Sequence, residues 1–349
     1  MVRLLAFAVL ALLPGSSLAV LAGEAEGEGT SGESGFVEIE PRQDQAIEKG
    51  LNWLSKNQGR DGAWGSAGSG GQYRMAMTSL AGLAFLAAGQ TPGRGKYGRT
   101  VEQAIDFILK HQGRDGLFGA NDGQEMYGHG FAMTFLAEAC GMTPASEVPP
   151  NLKDALDRAV KLTARAQSSW GGWYYSPNSG SDEGSVTITQ VQALRACANI
   201  GINVPDRTMK QSLSYIHKSQ NSDGSVRYTA RSAGGGSVAL TAAGAELLMM
   251  AGQYNTPETQ KAVEYLKRNL DPDRSRGYHD FYTNFYGAQA MSQVGGAAWA
   301  KYYTKLRSRL ISSQDAAGSW SGDIGTTYST SIAVMILSIP YQYLPIWQK

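Results

Sequence analysis

Two hydrophobic rhythms alternate along this chain. In the first, small or apolar residues fall at i, i+3 and i+4 with polar residues between them: Gly50, Trp53 and Leu54; Ala104, Phe107 and Ile108; Ala262, Tyr265 and Leu266. That spacing is the apolar stripe of a helix with one wet face. The second rhythm is apolar nearly all round and rich in Ala, Gly and Met, as in 75–89 and 237–252. A helix without a polar face is buried, and its small residues let neighbours approach closely. The alternation predicts helices near 44–57, 74–88, 101–112, 128–141, 153–167, 186–200, 208–219, 237–251, 260–269, 284–294, 297–313 and 328–338. Each half-wet outer helix is followed by a buried inner one.

A short turn phrase punctuates the pairs. Gln58, Gly62 and Trp64 return as Gln112, Gly116 and Phe118, then around Gln167 with Trp173, around Gln220 with Gly224, and as Gln314 with Trp320. The first four glutamines lie 53–55 residues apart, and the last interval of 94 holds a degraded copy at 262–270 followed by Gly277 and Tyr278. Gly stops each outer helix because it tolerates positive φ. Six units at a fixed period mean a repeat architecture. Six helix pairs are the right number to close into an inner ring inside an outer ring, although an open solenoid would read similarly.

Charge and composition narrow the picture. Residues 1–22 carry Arg3, an apolar run from Leu4 to Leu13 and small residues after it, the pattern of a signal peptide. Residues 23–40 form an acidic Gly/Glu/Ser-rich linker, and 41–349 form one domain. A secreted or periplasmic location is expected. The net charge of +1, without a basic run, argues against nucleic acid as a partner. Cys140 and Cys197 are the only cysteines and read as buried small hydrophobes, with a disulfide as the alternative. The segment 339–347 is apolar, is broken by Pro340 and Pro345, and is expected to pack back and close the first repeat on the last.

The phrase Gly50 to Trp64, with its Gln-x-x-Asp-Gly-x-Trp ending, resembles the Gln-Trp repeat of squalene–hopene and other terpenoid cyclases. Protein prenyltransferase β subunits share that repeat. The resemblance implies an all-α (α/α)6 barrel, or toroid, with a central cavity whose mouth lies at the inner-helix starts. The chemistry of those families does not follow. Class II cyclases carry an Asp-x-Asp-Asp-Thr segment, and the nearest match, Ser185 to Thr189, has lost every acid; Asp271 and Asp273 sit in a Pro-broken loop. Prenyltransferases hold zinc with Asp, Cys and His, but here Asp280-Phe-Tyr-Thr283 has Thr in place of the ligand His, and Ser237 to Leu240 replaces the Asp and Cys. Ala139 to Met142 is likewise not the Gly-Cys-Gly-Glu-Gln of thioester domains. The sequence therefore implies no metal and no cofactor.

Polar and aromatic residues gather at the expected inner-helix starts: Tyr73 and Arg74; Glu125, Tyr127 and His129; Asp182 and Glu183; Arg231; His279, Asp280, Tyr282 and Tyr286; Asp323 and Tyr328. A closed ring would bring these loops to one rim, with Tyr286 and His129 as surface residues. Helix N-termini there favour an anion, and tyrosines favour an apolar or carbohydrate-like ligand. The competing reading makes the tyrosines packing residues, His129 structural and Asp182 and Glu183 merely solvated. Function is then expected to be the binding of a hydrophobic small molecule or protein segment in the central cavity, without cyclase or prenyltransferase chemistry. Two alternatives stand beside it: an enzyme on an isoprenoid or lipid-like substrate with a rearranged site, and a carbohydrate-active enzyme on an (α/α)6 barrel.

Overall fold

Residues 37–65, 73–120, 122–274 and 279–348 are described by the computed structural model. The predicted signal peptide, most of the linker, and Gly277 and Tyr278 lie outside them. The described residues hold twelve α-helices in strict outer–inner alternation: α1 Pro41–Lys56, α2 Arg74–Ala87, α3 Gly98–Lys110, α4 Glu125–Gly141, α5 Leu152–Ala166, α6 Gly184–Asn199, α7 Asp206–Ser219, α8 Val238–Met250, α9 Pro257–Asn269, α10 Asp280–Val294, α11 Gly296–Ser313 and α12 Thr326–Ser338. No β-strand occurs among them, and no described helix is long and apolar enough to cross a membrane.

Most helices begin two to four residues before the hydrophobic rhythm does. The early starts have local causes. Pro41 and Pro257 open α1 and α9, where a missing N–H costs nothing. Tyr73 and Gln124 stand in the left-handed region, at φ 58° and 46°, immediately before α2 and α4. The start of α2 is capped from the next repeat: the Asp122 carboxylate accepts from the N–H groups of Arg74 and Met75, both at 2.7 Å.

The inner helices pack in the cycle α2, α4, α6, α8, α10, α12 and back to α2. The ring is closed, and the fold is an (α/α)6 barrel. The repeat glutamine explains how neighbouring pairs are joined. Gln58 Nε2 donates to the Gly62 carbonyl in its own turn and to the Thr100 carbonyl in the next outer helix, both at 2.9 Å. Gln112 does the same with Gly116 and Ala155, Gln167 with Gly171 and Thr208, and Gln220 with Gly224 and Glu258. Gln314 completes the circuit, donating to Gly318 and to Ala46 of α1, both at 2.9 Å. The seam between last and first repeats is thus made by the same bond as four of the other five junctions; in the fifth repeat Leu270 stands at the glutamine position.

The aromatic that ends the phrase serves its own outer helix. The last four carbonyls of a helix lack helical donors. The indole N–H of Trp64, Trp173 and Trp320 donates to one of these, on Leu54, Thr163 and Leu310 respectively, each at 2.8 Å. The glycine of the phrase leaves no freedom: Gly171 has φ +98°, and an added Cβ would strike the Gln211 carbonyl of the next outer helix.

The tail does not make the seam, as was expected of it. It leaves α12, meets α1 through Tyr341 and Asp44, and crosses the end of the ring to reach α4 and α6 with a 3-10 turn at Pro345–Trp347. At the other terminus, residues assigned to the linker are held by α11, where Arg307 donates to the Glu38 carbonyl at 2.5 Å and pairs with Glu40. Cys140 and Cys197 are free, buried thiols, and burial pushes both up from the ordinary thiol value.

Candidate functional site

The start of α10 and the loop before α12 enclose a recess of about 200 Å³, lined by His279, Asp280, Phe281, Tyr282, Asp323 and Tyr328 among others. The Asp280 carboxylate is fixed on one side by Arg309 Nη1 at 3.0 Å and by Asn284 Nδ2 at 2.7 Å. The Tyr282 ring packs at 4.8 Å between centroids against Tyr286, one turn further in, with the two planes inclined by 60°. Its hydroxyl is buried without a hydrogen-bond partner. Burial holds the phenols of Tyr282, Tyr286 and Tyr328 well above their ordinary value, so all three are neutral donors.

Tyr127 joins this group from α4. Its ring lies 5.9 Å from Tyr175 and its hydroxyl bonds to Ser185 at the start of α6. Tyr127, Tyr282, Tyr286 and Tyr328 come from three inner helices and lie close enough to perturb one another electrostatically. Glu183 is the N-cap of α6. It accepts from Ser185 N at 2.9 Å, from Ser185 Oγ and from Val186 N. Burial raises its carboxyl, and those donors pull it back down. Glu183 is therefore neither solvated nor free: it is capping a helix beneath the tyrosines.

Other residues expected at the rim do not line this recess. Arg74 turns outward, paired with Asp61 at 2.6 Å and stacked 5.0 Å from the Phe107 ring centroid. Tyr73 leans toward Gly123 in the loop before α4, and Glu125 is the first residue of α4. Asp182 is buried under the turn of the third repeat, bonded to Ser168 Oγ at 3.1 Å and to Arg231 at 3.3 Å, and Arg231 in turn lies over Trp170. Tyr286 is core, not surface.

His129 is the clearest correction. It is fully buried between layers, on the side of α4 that faces Thr163 of the outer helix α5. Its Nδ1 accepts from the Phe118 N–H at 3.1 Å, which places the ring proton on Nε2, 3.0 Å from Thr163 Oγ1. In four other repeats a threonine hydroxyl accepts the matching N–H: Thr78 from Trp64, Thr187 from Trp173, Thr241 from Val226 and Thr330 from Trp320. His129 is a structural acceptor in the second repeat. His129→Ala is expected to cost about 3 kcal/mol in denaturant titration, combining a cavity with an orphaned buried N–H. Burial lowers its imidazole to about 4, against about 6.5 unfolded, so its contribution is present above pH 6.5 and is lost as pH falls through 4.

Sequence reasoning missed a second polar group, inside the ring. Gln192 of α6 donates to Glu246 of α8 at 3.2 Å and lies 3.4 Å from Gln289 of α10, while the Tyr286 hydroxyl donates to Gln192 Oε1 at 3.4 Å. All four side chains are buried, and they bridge three inner helices. Trp347 of the tail adds an indole N–H to Gln289 at 3.1 Å. Glu138, near the end of α4, accepts from the Ile346 N–H at 3.1 Å. Burial pushes Glu246 up to about 8 and Glu138 up to about 7, so both are largely protonated at mildly acidic pH. The signal was present in the sequence: Glu246 is the one acid of α8, and Glu138 the one acid of α4 beyond its first residue, both in Ala-rich apolar stretches. Among the described residues no group of three His, Cys, Asp or Glu is placed to hold a metal ion.

No family model and no curated protein sequence matches the chain. Solved structures do match its fold. A type II terpene cyclase from Scytonema, in complex with geranylgeranyl dihydroxybenzoate, superposes with a TM-score of 0.61 at 15% identity, over 87% of this chain and 98% of that one. The GH76A α-1,6-mannanase from Salegentibacter superposes with a TM-score of 0.65 at 9% identity, over 86% and 99%. A protein from Actinoplanes gives 0.59 at 15%, over 86% and 99%. These likenesses establish the barrel and leave its chemistry open.

Proposed function

We propose that this chain is an exported binding protein that takes a single ring of a carbohydrate, or a side chain of similar size, in the recess between α10 and α12. It would stand as a divergent relative of the Gln-Trp repeat proteins, working without their cyclase or zinc chemistry. One observation carries the reading. The Gln192 cluster bonds buried polar side chains of α6, α8 and α10 to one another, whereas the recess between α10 and α12 brings three aromatic side chains together with two carboxylates and an imidazole. Aromatic faces pack on the C–H faces of a sugar, and carboxylates accept from its hydroxyls. At about 200 Å³ the recess falls below the 300–1,000 Å³ of drug-sized pockets, which fits one ring and excludes a geranylgeranyl chain.

The test is calorimetric titration with α-1,6-mannotriose and a panel of other oligosaccharides, repeated on Tyr328→Ala and Asp323→Asn. Binding by at least one sugar, weakened tenfold or more in both variants, is the expected result. Binding of geranylgeranyl dihydroxybenzoate in preference to every sugar would replace this reading with the isoprenoid one. One feature favours that second reading, a neutral Glu246 beside Tyr286, and the appearance of a cyclised product by mass spectrometry would establish it.

A further inference from the structure

The tail crosses the end of the barrel opposite the recess, where the inner helices finish. Tyr343 lies against Gly89 at the end of α2, Ile346 N–H reaches Glu138, Trp347 reaches Gln289, and Gln293 Nε2 donates to the Trp347 carbonyl at 3.2 Å. This is the one described segment that covers the ring without belonging to a helix pair. Its far end is anchored on polar side chains of α4 and α10.

Glu138 is only 1% exposed, and its carboxylate takes a single hydrogen bond, from the tail. The groups around it offer no charge to balance its own. The Cys197 thiol of α6 is close enough to feel its charge but is itself neutral, Lys153 of α5 acts on Cys140 rather than on Glu138, and the tail's one bond to it is from a backbone N–H. Gln289 of α10 is neutral, and no ion pair to Glu138 forms among the described residues.

We propose that residues 340–348 are a proton-locked strap: neutral Glu138 holds them across the inner-helix ends, and ionised Glu138 lets them lift. An ionised carboxylate with one N–H donor and no cation is costly inside a protein. Water relieves that cost most cheaply by displacing the covering element, because every other wall is a helix of the closed ring. Lifting the strap removes the Trp347 indole from Gln289 and opens the Gln192–Gln289–Glu246 cluster to solvent from below. The Tyr286 hydroxyl bonds to that cluster and its ring packs against Tyr282, so the strap is connected through packed side chains to the recess. Burial places the Glu138 carboxyl at about 7, within reach of ordinary changes in external pH.

Hydrogen exchange on the full chain, read by mass spectrometry at pH 5.5 and 8.5 and corrected for the intrinsic pH dependence of amide exchange, tests this. Protection of peptides covering 340–348 should fall tenfold or more at the higher pH, while α4 and α6 stay protected. Glu138→Gln keeps a neutral acceptor for Ile346 and should abolish the fall. Unchanged protection of the strap, the same fall in Glu138→Gln, or simultaneous loss in α4 and α6 would each overturn the proposal. The wild-type comparison decides by itself if Glu138→Gln does not fold, since global opening exposes the inner helices together with the strap.

Discussion

Trp173→Ala is expected to lower the free energy of unfolding by about 5 kcal/mol. The indole is fully buried between α5 and α6, and truncating such a residue costs about 3–5 kcal/mol in lost burial and cavity. The hydrogen bond from its N–H to the Thr163 carbonyl adds to this. That carbonyl lies in the last turn of α5 and has no helical donor, so its loss leaves a buried acceptor unpaired, at about 1–3 kcal/mol. Trp173→Phe separates the two contributions, since it keeps most of the packing and loses only the donor; a cost of about 1–2 kcal/mol is expected. The second repeat already carries this change as Phe118. Urea titration of both variants measures the difference. A cost below about 1 kcal/mol for Trp173→Ala would mean that the phrase is not what holds a helix pair together.

The stability of the folded chain should fall by several kcal/mol between pH 5 and pH 9, and Glu246→Gln should remove most of that fall. The Glu246 carboxyl ionises near 4.5 in an unfolded chain and at about 8 in the folded one. Between those values the unfolded chain binds fewer protons, so stability drops as pH rises. The contribution is complete below pH 4.5 and is lost as pH climbs through 8. At about 1.4 kcal/mol for each tenfold change in proton affinity, the upper limit is about 5 kcal/mol. Glu138 acts in the same direction, over 4.5 to about 7. His129 acts in the opposite direction between about 4 and 6.5, but above 4.5 the two acids together outweigh it, so the melting temperature should peak near pH 4.5. Glutamine at 246 can still accept from Gln192 and carries no proton to lose. A wild-type melting temperature that is flat from pH 5 to 9 would show that water reaches the cluster in the folded state.

Much of this architecture is legible one helix at a time. The 3.6-residue rhythm in Gly50, Trp53 and Leu54 separates outer from inner helices, because a wet face and a buried face impose different residues on the same backbone. The period of the glutamines fixes six pairs. At 185–188 and at Thr283 the sequence itself shows where it departs from the motifs of the families it resembles. These are local properties, set by solvent exposure and backbone conformation within about fifty residues.

What lay beyond the sequence depends on which way a side chain points and on what meets it. His129 falls within α4 in the predicted and the observed bounds alike, and only the packing of α4 against α5 shows that it faces Thr163 between the layers, as an acceptor for the Phe118 N–H instead of a rim group. Glu138, Gln192, Glu246 and Gln289 lie far apart along the chain and share no motif. Gln192, Glu246 and Gln289 become one cluster only because the ring packs α6, α8 and α10 together, and Glu138 is sealed only because the tail crosses the end of α4. Asp122 shows the same thing at shorter range: its carboxylate caps a helix in the preceding repeat. The sequence by itself determined the units and their order. Closure of the ring, through Gln314 and Ala46, decided which polar groups would be buried together, since burial is a property of the assembled barrel and not of any one of its helices.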